Sequence, residues 1–278
     1  MKDNVNHTLR GLGKVSRKHL ATLLRKVKGY ITPKALEKYL QITATRAKQL
    51  LSYWTKNGWL KRIHRGMYLP IELTAETSDQ VLLDPWKLSA ERFSPCYIGG
   101  WSAAQHWDLT DQIFESTIIL TTRHLEKKNW SLGDLRLIVT KIPPNQMFGL
   151  QVVWQDGIKV HVSDIHKTIV DMLNTPALAG GIIPFVDFFL KYLSKDNCSP
   201  IVLFEYAQKM NNKTIFKRLG FLLEIFKPDS AEIISECLKL MSKGNSQLDP
   251  VLKGHSLVKK WRLWIPENLK AAFKKEVL

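Results

Sequence analysis

Apolar residues recur at Leu20, Leu23, Leu24 and Val27, the three-and-four spacing that lines one face of a helix. Ser16 is the expected N-cap of that helix and Gly29 its stop. Thr32-Pro33 opens a second amphipathic stretch, with Thr as cap and Pro at the first helical position. Its apolar face is Leu36, Tyr39 and Leu40, and it ends near Gln41-Ile42. Thr43 caps a third stretch, apolar at Ala44, Ala47, Leu50, Leu51 and Trp54. Asn57-Gly58 ends it, Gly58 suiting a left-handed C-cap. Two short helices joined by about three residues form a helix-turn-helix. The period then changes. Trp59–His64 is a strand, Arg65-Gly66 a turn and Met67–Leu69 a returning strand that Pro70 stops. A hairpin directly after the third helix is a wing, so residues 1–70 are predicted to form a winged helix-turn-helix, the first fifteen residues being polar.

Residues 71–95 are a connector too apolar for a free tether: Val81, Leu82, Leu83, Trp86, Leu88 and Phe93 need burial, expected against the second domain, with a helix starting near Asp84-Pro85. The second domain, residues 96–278, mixes strands and helices. Strands are expected at 97–99, 117–121, 135–142, 150–154 and 158–162, with Asp156-Gly157 as a hairpin turn between the last two. Helices are expected near Trp101–Trp107, where Ser102 is the cap, and at 164–174, 184–193, 201–210, 213–226 and 231–241. A last strand, 261–265, is expected to return to the sheet. The whole is an α+β protein of two domains, a winged helix-turn-helix and a mixed α/β domain.

Charge sharpens this picture. The formal net charge is +16, and residues 1–70 carry 16 Lys and Arg against two acidic residues, Asp3 and Glu37. The excess is therefore concentrated in the first quarter of the chain, where a polyanion is the natural partner through phosphate attraction and counterion release. The third helix suits the major groove, where each base pair shows a distinct donor and acceptor pattern. Its polar face carries Thr45, Arg46, Lys48, Gln49, Ser52, Tyr53 and Lys56, with no carboxylate. Thr45, Arg46 and Gln49, near the N-terminal end, are the candidates for base readout. Lys48 and Lys56 are candidates for phosphate. The wing adds Lys61, Arg62, His64 and Arg65, and the first helix Arg17, Lys18, Arg25, Lys26 and Lys28. The expected partner is double-stranded DNA.

Nothing comparable marks a catalytic centre. The chain has no phosphate-binding GxxxxGK[ST] loop, no GxGxxG, no HExxH and no GxSxG. Asp156-Gly-Ile-Lys159 faintly resembles a metal-nuclease ending but is ordinary turn chemistry, and Asp164 reads as an N-cap seven residues before Asp171. His161 and His166 lack helical metal-ligand spacing, and His106 beside Trp107 reads as a packed ring. Cys96, Cys198 and Cys237 are far apart and form no ligand cluster. No metal, cofactor or catalytic residue is expected, and the protein is expected to be cytoplasmic, with neither signal peptide nor membrane span.

The sequence resembles the AbiEi-type antitoxins of type IV toxin–antitoxin systems, at GYITPKALEKYL and LKRIHRGMYLPI, more densely in YIGGWSAAQHWDLTDQIF (97–114), then in VHVSDIHKTIVDML (160–173), Gly180-Gly181 and KRLGFLLE (217–224). The resemblance implies an N-terminal winged helix that represses its own operon, often at inverted repeats, cooperatively and with DNA bending. It also implies a C-terminal domain that counters a nucleotidyltransferase toxin without a stable complex. Two alternatives accompany it: a stand-alone regulator with no toxin, and a DNA-processing enzyme that a winged helix targets.

Overall fold

The computed structural model describes residues 13–27, 30–71, 84–132, 135–155, 157–252, 254–266 and 269. Lys28, Gly29, Val81–Leu83 and Asp156, which figure in the expectations above, lie outside the described residues. The chain mixes helices and sheets and divides into two compact units: residues 1–93 with 130–136 and 154–160, and the remainder.

The first unit opens with α1 (Lys14–Lys26), α2 (Pro33–Leu40) and α3 (Ala44–Lys56). The Thr32 hydroxyl accepts from the Ala35 N–H at 3.2 Å and the Thr43 hydroxyl from the Arg46 N–H at 3.3 Å, as their positions before Pro33 and Ala44 predict. Gln41 takes a left-handed conformation (φ 53°) and turns the chain between α2 and α3. The hairpin β1 (Leu60–His64) and β2 (Met67–Pro70) is the wing, with Gly58 at φ 76° ending α3. Tyr68 and Ile31 exchange backbone hydrogen bonds of 2.8 and 3.0 Å, adding a third segment to the wing. Three helices and this small sheet fit the arrangement of a winged helix-turn-helix. Its core joins Leu20, Leu23, Ile31, Leu36, Ala47, Leu50, Leu51, Trp54 and Leu60. Each large apolar chain fully removed from water there contributes about 1.5–3 kcal/mol.

Several expectations differ here, Tyr39 among them, which is exposed rather than on the buried face of α2. α1 starts at Lys14 on Gly13, which supplies no side-chain cap, so Ser16 lies inside the helix. Leu24 is 46% exposed, because consecutive residues turn about 100° and only Leu20 and Leu23 reach the core. Ala44 is exposed because it begins α3, before the helix enters the core. The connector helix, α4 (Pro85–Arg92), falls in the first unit and not, as expected, with the second domain. Asp84 caps it by accepting from the Trp86 N–H at 2.8 Å.

The next strands are β3 (Cys96–Ile98), β4 (Ser116–Thr121), β5 (Asn129–Leu132), β6 (Leu135–Lys141), β7 (Leu150–Gln155) and β8 (Ile158–Ser163). They form one mixed sheet in the order β5-β6-β4-β3-β8-β7, with β3 antiparallel to β4 and parallel to β8. In the second unit α5 (Gly100–His106) follows β3. The helices α6 (Ile165–Asn174), α7 (Ile182–Leu193), α8 (Pro200–Lys209), α9 (Thr214–Phe226) and α10 (Ala231–Leu240) follow β8. Gly100 sits at φ 55° with the Leu178 carbonyl where a Cβ would be, so the β3–α5 turn admits only glycine. Ser102 is not a cap. It lies within α5, and its hydroxyl accepts from the Ile118 N–H at 2.9 Å. The strand expected at 261–265 forms as β11 (Leu263–Ile265), but pairs with β9 (Ser246–Gln247) and β10 (Ser256–Val258) in a separate sheet. The buried Trp261 ring, laid on Gly220 of α9, anchors it there.

Candidate nucleic-acid interface

At 100° per residue, Ala47, Leu50, Leu51 and Trp54 form one stripe of α3, and the structure buries all four. Thr45, Gln49, Ser52 and Lys56 lie opposite that stripe, with Arg46 and Tyr53 to one side and Lys48 to the other. All seven are exposed. α3 is 13 residues long, about 20 Å. Its first turn holds no acidic residue and its last turn ends on Lys56. The Arg46 Nη1 donates to the Gln49 Oε1 at 3.3 Å, so these two side chains of the N-terminal half act as one hydrogen-bonding group. The guanidinium retains donors for guanine, and the Gln49 amide retains its NH2.

The wing presents Arg62 and Arg65 to solvent, whereas Lys61 and His64 are half-buried. Its register slips between Arg62 and His64, a bulge that redirects the strand near its tip. On α1, Arg17, Lys18, Arg25 and Lys26 are exposed. The exposed Arg62 and Arg65 of the wing, with the exposed cations of α3 and α1, thus face solvent, where phosphate could reach them.

Two features of this unit left no sequence signal. Both Glu91 carboxylate oxygens accept from the Tyr30 N–H, at 3.1 and 3.0 Å, tying α4 to the turn before α2. Partial desolvation pushes the Glu91 carboxyl up to about 7, the Tyr30 N–H opposing it. The same desolvation, with the charges of Glu91 and Asp84, pushes the Tyr30 phenol well above its usual range. The second feature is Trp130, buried on β5, whose ring centroid lies 5.4 Å from that of His64 and 5.4 Å from that of Phe93. The Arg92 guanidinium stands 5.3 Å from the Trp130 ring centre. No periodicity links residue 64 to residue 130, so only the fold brings them together.

Several polar groups of the second unit are engaged internally. Lys167, fully buried, donates to Asp171 and, at 3.0 Å, to the Tyr97 hydroxyl, which in turn donates to Asp171 at 2.8 Å. Burial raises the Asp171 carboxyl, while Lys167 and Tyr97 oppose that rise. Asp164 caps α6 through the Lys167 N–H at 2.7 Å and accepts from the Tyr206 hydroxyl at 2.8 Å. His166 faces the Tyr192 hydroxyl at 2.9 Å, and His106 packs edge-on to Trp107. Beside the α7 N-terminus is a cavity of about 390 Å³ lined by Trp101, Ile183, Val251 and Leu252, where Asp249 is engaged by the N–H groups of Ile182 and Val251. No disulfide joins Cys96, Cys198 and Cys237. Among the described residues no group of three His, Cys, Asp or Glu is placed to hold a metal, and no helix is long and apolar enough to cross a membrane.

The segments that carried the resemblance beyond the winged helix are built into the packing. Trp101 and Trp107 each donate an indole N–H at 2.7 Å, to the carbonyls of Ser116 and Ser163. Arg218 donates to the carbonyls of Leu173, Asn174 and Gln247, and Trp261 donates to Glu224 at 2.6 Å.

Residues 19–71 match the family model described as transcriptional regulator, AbiEi antitoxin. The match runs from within α1 through the wing, and stops before the segments at 97–114, 160–173 and 217–224. Among curated proteins, none matches the chain.

Proposed function

We propose, from the AbiEi regulator match of the winged helix and the face it presents, that this protein is a DNA-binding transcriptional autorepressor acting as the antitoxin of a type IV system. In this reading residues 1–70 form the DNA-binding domain and 96–278 an antitoxin-like effector domain. α3 enters the major groove with Thr45, Arg46 and Gln49 at base edges, and Ser52 and Tyr53 further along the same face. Lys48, Lys56 and the wing residues Lys61, Arg62 and Arg65 hold phosphates, with His64 in the wing beside them. The toxin counterpart is a nucleotidyltransferase, opposed without a stable complex. The protein works in the cytoplasm and carries out no catalytic step of its own.

The observation that carries the DNA-binding part is the outward face of α3: seven exposed polar or cationic side chains, no carboxylate, over a backside wholly buried in the core. A mobility shift of the full-length protein on the DNA upstream of its own reading frame tests it. Retention competed by that sequence and not by unrelated duplex is the expected result. No retention at low salt overturns it.

A second reading is favoured by the extent of the family match, confined to residues 19–71: a winged-helix regulator with no toxin. An adjacent nucleotidyltransferase reading frame whose toxicity the protein relieves supports the antitoxin. Operator binding without such relief supports the regulator.

A further inference from the structure

The wing does not stand by itself in the first unit. His64, last residue of β1, has its ring against the ring of Trp130 at 5.4 Å between centroids, tilted by 58°. The His64 Nδ1 also lies 3.4 Å from the Arg65 carbonyl, an acceptor only, so a hydrogen bond there is donated by that nitrogen. Trp130 is only 5% exposed and is fixed in turn: Phe93 meets it edge-on at 72°, and the Arg92 guanidinium lies over its ring. The bulge between Arg62 and His64 lies at this contact, so the contact bears on where the exposed Arg62 and Arg65 point.

We propose that Trp130 and His64 form a brace that holds the wing in its DNA-contacting position, His64 being a positioning residue and not a contact to the duplex. A two-stranded hairpin is at best marginally stable by itself. Without the brace, Arg62 and Arg65 must be ordered at the moment of binding, and that cost is subtracted from affinity. The ring of His64, and not its charge or hydrogen-bonding capacity toward DNA, is then what matters. The DNA-binding unit accordingly extends beyond residue 70 to a tryptophan sixty positions downstream. This inference rests on the DNA-binding reading proposed above.

The test uses the full-length protein and fluorescence anisotropy with a labelled 30-base-pair duplex of mixed sequence, titrated at several salt concentrations. His64→Phe keeps a ring but neither charge nor polar nitrogen, and His64→Ala removes the ring. The expected result is wild-type affinity and salt dependence for His64→Phe. For His64→Ala, binding weakens roughly tenfold at low salt and the slope of log K against log salt becomes shallower by about one, because the cost of ordering the unbraced wing leaves one of Arg62 and Arg65 off its phosphate. Trp130→Ala reproduces that loss, and the double variant His64→Ala/Trp130→Ala adds little to either single change, because both remove the same contact. Equal losses in His64→Phe and His64→Ala make His64 a direct DNA contact and overturn the brace, as does wild-type behaviour in both. If Trp130→Ala does not fold, the two His64 variants, checked by unchanged melting temperature, decide alone. Failure of the wild-type protein to bind the duplex at low salt overturns the DNA-binding reading and the brace with it, a result distinct from wild-type binding with unaltered variants.

Discussion

Replacing Arg46 by Ala separates base readout from general attraction to phosphate. Arg46 is exposed on the outward face of α3, so its removal leaves no cavity. The Thr43 cap accepts from the Arg46 backbone N–H, which Ala retains. Alanine is also the best helix former, and the fold should change by less than about 0.5 kcal/mol. What is lost is the guanidinium with its 3.3 Å bond to Gln49. A bidentate contact to guanine is worth about 1–3 kcal/mol, so operator affinity should fall roughly 5- to 150-fold. Gln49 loses its neighbour at the same time, which moves the expectation toward the upper part of that range. The assay is anisotropy on the operator and on single-base variants of it, with thermal melting as control. Preference should relax at one base position while binding to unrelated duplex falls far less. A footprint and a base preference identical to wild type would remove Arg46 from the groove and refute the docking.

Lys61→Ala should weaken binding to every duplex alike and flatten the salt slope by about one, measured by salt titration; an unaltered slope removes Lys61 from the phosphate contacts. Gly220→Ala places a methyl group inside the Trp261 ring and should cost about 1–3 kcal/mol, visible as a melting point several degrees lower. Lys167→Met strands Asp171 in the core and should cost about 3–5 kcal/mol by denaturant titration, whereas Lys167→Met with Asp171→Leu should recover most of that. Glu91 has a folded pKa of about 7, above its ordinary value of 4.5, so the protonated form favours the fold. That contribution is full below 4.5 and lost as pH rises through 7. The dependence should be shallow, since the side chain keeps an exposed edge, and absent in melts of Glu91→Gln between pH 4 and 8.

Most of the proposed DNA-binding face could be read along the chain because it is local. Thr32-Pro33 and Thr43 announce α2 and α3, and a 3.6-residue period divides α3 into a buried stripe and a polar face. Asp164 was equally legible as a cap, since an N-cap depends only on the next turn of backbone. Ser16 and Ser102 misled for the complementary reason. A serine near a helix start satisfies the local pattern, but Gly13 already begins α1 and the Ile118 N–H engages Ser102 inside α5.

Contacts distant along the chain obey no period. The Ile31–Tyr68 bridge, the Glu91–Tyr30 tie, the pairing of β11 with β9 and β10, and the ring of Trp130 against His64 each join residues whose sequence separation carries no pattern. Amphipathic period, caps, turns and the concentration of positive charge are properties of neighbouring residues, and the amino-acid order alone determined them. Which groups meet across the chain follows from how the elements bury their apolar faces together, and only the tertiary structure decided that.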